Sequence, residues 1–144
     1  MKKIIALALA LSVLLCCLVG CGKKNKLNEL EEYSSMTIDG TTSIEVVYDY
    51  IDGEFTTYEF VIYDQEVIEK IVTEVFNMEL KDYPENQDIH FYQRWLTVNQ
   101  GDNKYYISLA YTSDENGNRY LCQSQKVCEI IEEFIENNLI KQGG

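Results

Sequence analysis

Proline and histidine are nearly absent from this chain, with one of each in 144 residues. Any Ser-His-Asp or Cys-His site would have to use the single histidine, His90, and a metal centre built from several histidines is excluded. His90 stands near the start of a predicted strand and reads as an ordinary surface or edge residue. No G-x-S-x-G, H-E-x-x-H, C-x-x-C or Gly-rich phosphate loop occurs. Cations are scarce: 12 Lys and Arg stand against 24 Asp and Glu, for a formal net charge of −12. Such a chain repels phosphate over most of its surface, which excludes nucleic acid as a partner. With 24 acids in the chain, a carboxylate pair carries no information about glycoside hydrolysis. The stretch from Asp114 has Arg119 and Gln125 where a calcium loop needs its sixth-position Gly and twelfth-position Glu. It reads as a hairpin turn, and neither a metal nor a cofactor is expected. What is present, 46% hydrophobic and 12% aromatic residues, is enough for one domain with a modest core.

The longest apolar run is residues 4–19, IIALALALSVLLCCLV, preceded by Lys2 and Lys3. It falls short of the ~20 residues a transmembrane helix needs. A basic start, an apolar run and a small residue form a secretory signal. The run closes on Leu18-Val19-Gly20-Cys21. This resembles the lipobox of bacterial lipoproteins, in motif order and in distance from the start. The resemblance implies that residues 1–20 are removed by signal peptidase II and that Cys21 receives a diacylglyceryl thioether. The implied partner is the membrane, held through lipid on Cys21, because two acyl chains anchor stably where one is marginal. The implied location is the extracytoplasmic side, on the outer face of the cytoplasmic membrane of a Gram-positive bacterium. Cys16 and Cys17 leave with the signal.

Removal of two lysines brings the mature charge to −14, unevenly spread. Residues 21–28 carry Lys23, Lys24 and Lys26 and no acid. Such juxtamembrane lysines are each attracted to anionic headgroups by about 1 kcal/mol. Residues 29–88 hold 17 acids against Lys70 and Lys81, whereas residues 89–144 are nearly balanced. Residues 21–38 are polar without a sustained apolar period and read as a lipidated tether, with a helical turn near Leu27. Residues 39–144 read as a single domain.

That domain alternates strand and helix signals. Residues 43–51 and 54–63 are rich in β-branched and aromatic residues, joined by Asp52-Gly53, a strong hairpin signal. Asp64 reads as an N-cap, followed by Val67, Ile68, Ile71, Val72, Val75 and Phe76 at helical spacing through about Leu80. Strands at 89–99, 104–112 and 119–123 follow, with turns at Gly101-Asp102 and Asn116-Gly117. Ser124 opens a last amphipathic helix. The predicted order is β-β-α-β-β-β-α. It implies an α+β fold, an antiparallel sheet of about five strands with two helices on one face.

Centring a hairpin on Gly101-Asp102 pairs Asn99 with Lys104 and Trp95 with Ser108. One face then carries Leu96, Val98, Tyr105, Ile107, Leu109 and Tyr111, and belongs against the helices. The other presents Phe91, Trp95 and Tyr106 among small and polar neighbours. A one-residue slip would exchange the two sets. Arg94 falls on the core side, where it must snorkel or pair with an acid. Extending through Asn116-Gly117 pairs Tyr111 with Cys122. Cys122 and Cys128, six residues apart across a strand-to-helix corner in an oxidising compartment, are either a disulfide or two buried thiols.

Eleven tyrosines are the most unusual feature of the composition. They suit a half-buried sheet, and equally an aromatic surface for a partner. The expected function is non-enzymatic binding of a protein or a cell-wall glycan through Phe91, Trp95 and Tyr106. One alternative is an inhibitor or immunity-type protein whose acidic half blocks a basic partner. The other is a small cell-envelope hydrolase, which needs His90 or a carboxylate pair to converge in a cleft.

Overall fold

The computed structural model describes residues 24–85 and 92–140. Strands β1 (Ser43–Asp52) and β2 (Glu54–Ile62) form the predicted hairpin. Gly53 lies between them at φ 73°, a conformation side-chain-bearing residues rarely adopt. Helix α1 (Gln65–Asn77) follows. The Asp64 carboxylate caps it, accepting from the N–H groups of Glu66 and Val67 at 2.9 and 3.2 Å. This satisfies two donors that the first turn leaves without helical partners. The buried stripe is Ile68, Ile71, Val72 and Val75.

The chain stops being helical at Asn77, three residues before the expected end. Glu79–Asp82 form a strand, β3, that pairs with β7 (Arg119–Gln123). Strand β4 (Arg94–Gln100) and strand β5 (Asn103–Ser108) pair in the predicted register, Asn99 with Lys104 and Trp95 with Ser108. Helix α2 (Gln125–Ile135) then packs on α1 and ends in a π-helical turn, Glu136–Ile140. Among the described residues no helix is long and apolar enough to cross a membrane.

The fold is α+β with antiparallel sheets, but its strands divide between two sheets rather than forming one sheet of about five. The first runs β2-β1-β4-β5 and the second runs β3-β7-β6, with β6 at Tyr111–Ser113. The division occurs where residues 104–112 were expected to form one strand. Ser108 Oγ accepts from the N–H groups of Ala110 and Tyr111, and the chain changes sheets there. Buried positions shift parity at the break, from Tyr105, Ile107 and Leu109 to Thr112. Tyr111 is therefore exposed, not core-facing, and it pairs with Leu121 rather than Cys122. The following turn explains the one-residue change in register. The Asp114 carboxylate accepts from the N–H groups of Asn116 and Asn118, so the loop centres on Asn116.

The tether is the second correction. Leu27, Leu30, Tyr33 and Met36 are all buried in the common core. They recur every third residue, the period of a 3-10 helix, and two such turns occur at Leu27–Glu29 and Glu31–Tyr33. Residues 25–27 even lie along β3: Leu27 N–H donates to the Met78 carbonyl, and Leu80 N–H to that of Asn25. The folded domain thus includes Asn25 to Met36, inside the stretch expected to be a tether.

Candidate functional site

The site expected from the sequence lies on the open face of the four-stranded sheet. Alternation brings Glu45, Val47, Glu59, Val61, Trp95 and Tyr106 to that side. Trp95 is 44% exposed and Tyr106 is 64% exposed. Trp95 sits opposite Ser108, and Tyr106 opposite Thr97, so the two residues are diagonal neighbours on one face. Val47 flanks Trp95 on β1, and Val61 is exposed on the edge strand β2. Phe91, the third expected member, and His90 lie outside the described residues. The valines were missed as members of the site, although carrying the alternation across Asp52-Gly53 places them there.

The electrostatics of this face are set by Glu45. Its carboxylate accepts from Asn99 Nδ2 at 3.0 Å and pairs with Lys104 Nζ at 3.2 Å. The Asn99 bond, then Lys104, hold its pKa below the usual carboxylate range. Glu45 therefore stays charged beside the aromatic pair.

A second concavity, a groove of about 810 Å³, opens where α1, β4 and α2 meet. Its lining includes Glu74, Glu79, Arg94, Cys128, Glu129 and Glu132. Carboxylates do converge here, yet two of them are committed. Glu74 pairs with Lys126 at 3.7 Å, and Glu132 with Arg94 at 3.8 Å. Glu132 also accepts the Tyr48 hydroxyl hydrogen bond at 2.6 Å. Burial, then this bond, drive the Tyr48 pKa well above the ordinary phenol value. Arg94 stacks 4.5 Å over the Tyr48 ring and donates from Nε to the Asp49 carbonyl. Its core-side position is thereby explained, since it joins β1, β4 and α2. A carboxylate held by a phenol and a guanidinium is a structural clamp rather than a free general base.

The cysteines are not bonded to each other: Cys122 and Cys128 are free thiols. They face different neighbours. Cys122 is buried on the inner side of β7, where burial pushes its pKa up to about 12. Cys128 lies one turn into α2, its sulfur 3.8 Å from Ser124 Oγ. The Cys122 thiol stays protonated at neutral pH, which makes it inert as a nucleophile. Among the described residues no cluster of His, Cys, Asp and Glu is suited to a metal ion. Comparison with protein families, curated proteins and solved structures gives no match.

Proposed function

We propose that this protein is a membrane-anchored extracytoplasmic lipoprotein. Its domain binds a protein or a cell-wall glycan through the open face of the four-stranded sheet and catalyses no reaction. The observation that carries the reading is the joint exposure of Trp95 and Tyr106 on one sheet face, in a chain whose Leu18-Val19-Gly20-Cys21 resembles a lipobox. Aromatic side chains contribute large contact areas at low entropic cost, and they dominate binding surfaces.

Trp95 is the only tryptophan in the chain, so intrinsic fluorescence reports on this surface directly. Titration with soluble peptidoglycan fragments should shift the emission saturably, and Tyr106→Ser should weaken the response. A lipid-sized mass on Cys21, lost in Cys21→Ala, tests the anchor. Glu45 and Glu59 beside the rings favour a second reading, a blocking protein for a basic partner. Its binding would weaken steeply with ionic strength, whereas glycan stacking would not.

A further inference from the structure

The outer face of the three-stranded sheet differs from the rest of this acidic molecule. Antiparallel pairing sets Lys26 beside Glu79, Glu79 beside Gln123, and Lys81 beside Leu121 and Tyr111. Arg119, opposite Ser113, completes the face. Lys81, Tyr111 and Arg119 are exposed, while Leu80, Tyr120 and Cys122 point the other way into the core. Arg119 lies 4.0 Å over the Tyr83 ring and 5.5 Å from the Tyr111 ring. The two tyrosines meet edge to face at 6.3 Å. Tyrosine rings beside cations, with an aliphatic neighbour, suit the boundary between headgroups and acyl chains.

The position of the chain start supplies the occupant. Asn25 is already hydrogen-bonded along β3. Only residues 22–24 separate it from Cys21, a reach of at most about 14 Å from Cys21 to Asn25 for extended chain. Toward the N-terminus the register carries Lys24 alongside Lys81, in the direction of Tyr83. We infer that the lipid on Cys21 holds the domain flush on the membrane, with the outer face of β3-β7-β6 seated on anionic headgroups. This rests on the lipoprotein reading proposed above. Of the acids near this end, Asp114 is occupied by its own turn, with bonds from Asn118 and from the Tyr120 hydroxyl. Asp82, opposite Tyr120, alternates away from this face, and it and Glu115 both lie close enough to Tyr120 to raise its pKa. The acidic β1–β2 hairpin belongs to the other sheet, so none of its carboxylates is among the residues seated on like-charged lipid.

The test uses the full lipidated chain in three settings: vesicles of equal parts phosphatidylglycerol and phosphatidylcholine, vesicles of phosphatidylcholine alone, and detergent. Lysines are acetylated with a membrane-impermeant reagent and read by peptide mass, which also reports the lipid on Cys21. In anionic vesicles Lys81 should react several-fold more slowly than in detergent, with Lys70 and Lys104 unchanged. The protection should shrink in phosphatidylcholine alone. The exposed-site variant Tyr111→Glu/Arg119→Glu should restore Lys81 reactivity while Cys21 keeps its lipid. Equal reactivity of Lys81 in anionic vesicles and in detergent, on a lipidated chain, overturns the orientation and leaves the anchor standing. Absence of lipid on Cys21 overturns the anchor, and the orientation with it.

Discussion

The two sheets of this molecule present opposite surfaces. The open face of the four-stranded sheet carries Glu45 and Glu59 against Lys104, around Trp95 and Tyr106. The outer face of the three-stranded sheet carries Lys26, Lys81 and Arg119 against Glu79, around Tyr83 and Tyr111. Both faces combine aromatic rings with charge, but the charge has opposite sign. The net charge of −12 is therefore a poor guide to either surface. Under the proposed membrane anchor, such polarity would let one side settle on lipid and leave the other free for the proposed partner.

The sharpest way to break this comparison is to detach the three-stranded sheet from the core. Leu27 is buried beside α1 and β3, at 1% exposure. Leu27→Ala should cost about 2–5 kcal/mol in urea unfolding, the usual range for a buried leucine. A cost near zero would restore the tether reading of residues 21–38 and remove the short reach from Cys21.

Alkali should separate the sheets next. Burial raises Cys122 from 9.0 to about 12, and burial, then Glu32, raise Tyr33 from 10.0 to about 12. Both are protonated in the folded state and ionise sooner once unfolded. Their stabilisation is thus complete below about pH 9 and is lost as pH climbs toward 12. Cys122 sits under the three-stranded sheet, and the Tyr33 hydroxyl ties the N-terminal turns to β5 by donating to the Tyr106 carbonyl at 2.8 Å. Amide exchange at Leu80 and Cys122 should therefore accelerate before exchange at Val46 and Leu96. Cys122→Val should shrink the alkaline loss. A smaller effect belongs to the clamp: Tyr48→Phe removes one partner of Glu132 and should cost about 1–3 kcal/mol by thermal unfolding.

The sheets also differ in how much of them the sequence discloses. The β1–β2 and β4–β5 hairpins join neighbours in the chain through two tight turns, so alternation and turn chemistry suffice to set their register. The exposure of Trp95 and Tyr106 follows from that register. The three-stranded sheet pairs residues 79–82 with 120–123, and no local signal reports such a distant partner. Leu80 extends the apolar spacing of α1 by one turn, and only pairing with β7, Leu80 itself opposite Cys122, makes it a strand. Leu27, Leu30, Tyr33 and Met36 carry a period of three, which a search for periods of 3.6 and 2 passes over. The Arg94–Glu132–Tyr48 clamp draws on three separate elements, so spacing along the chain holds no trace of it.

The smallest stability effect provides the finest comparison of the two faces. Tyr106 and Tyr111 are both exposed, one on each face. Replacing either with serine should change unfolding free energy by about 0.5 kcal/mol or less, as expected for surface sites away from special contacts. Tyr111 also meets Tyr83 edge to face, so its replacement should fall toward the upper end of that range. Their functional consequences should diverge. Tyr106→Ser should weaken the Trp95 fluorescence response to peptidoglycan fragments and leave Lys81 protected on anionic vesicles. Tyr111→Ser should reduce Lys81 protection and leave the fluorescence response intact. If both variants moved both readouts together, the two faces would be acting as one surface, and the division of labour between the sheets would fail.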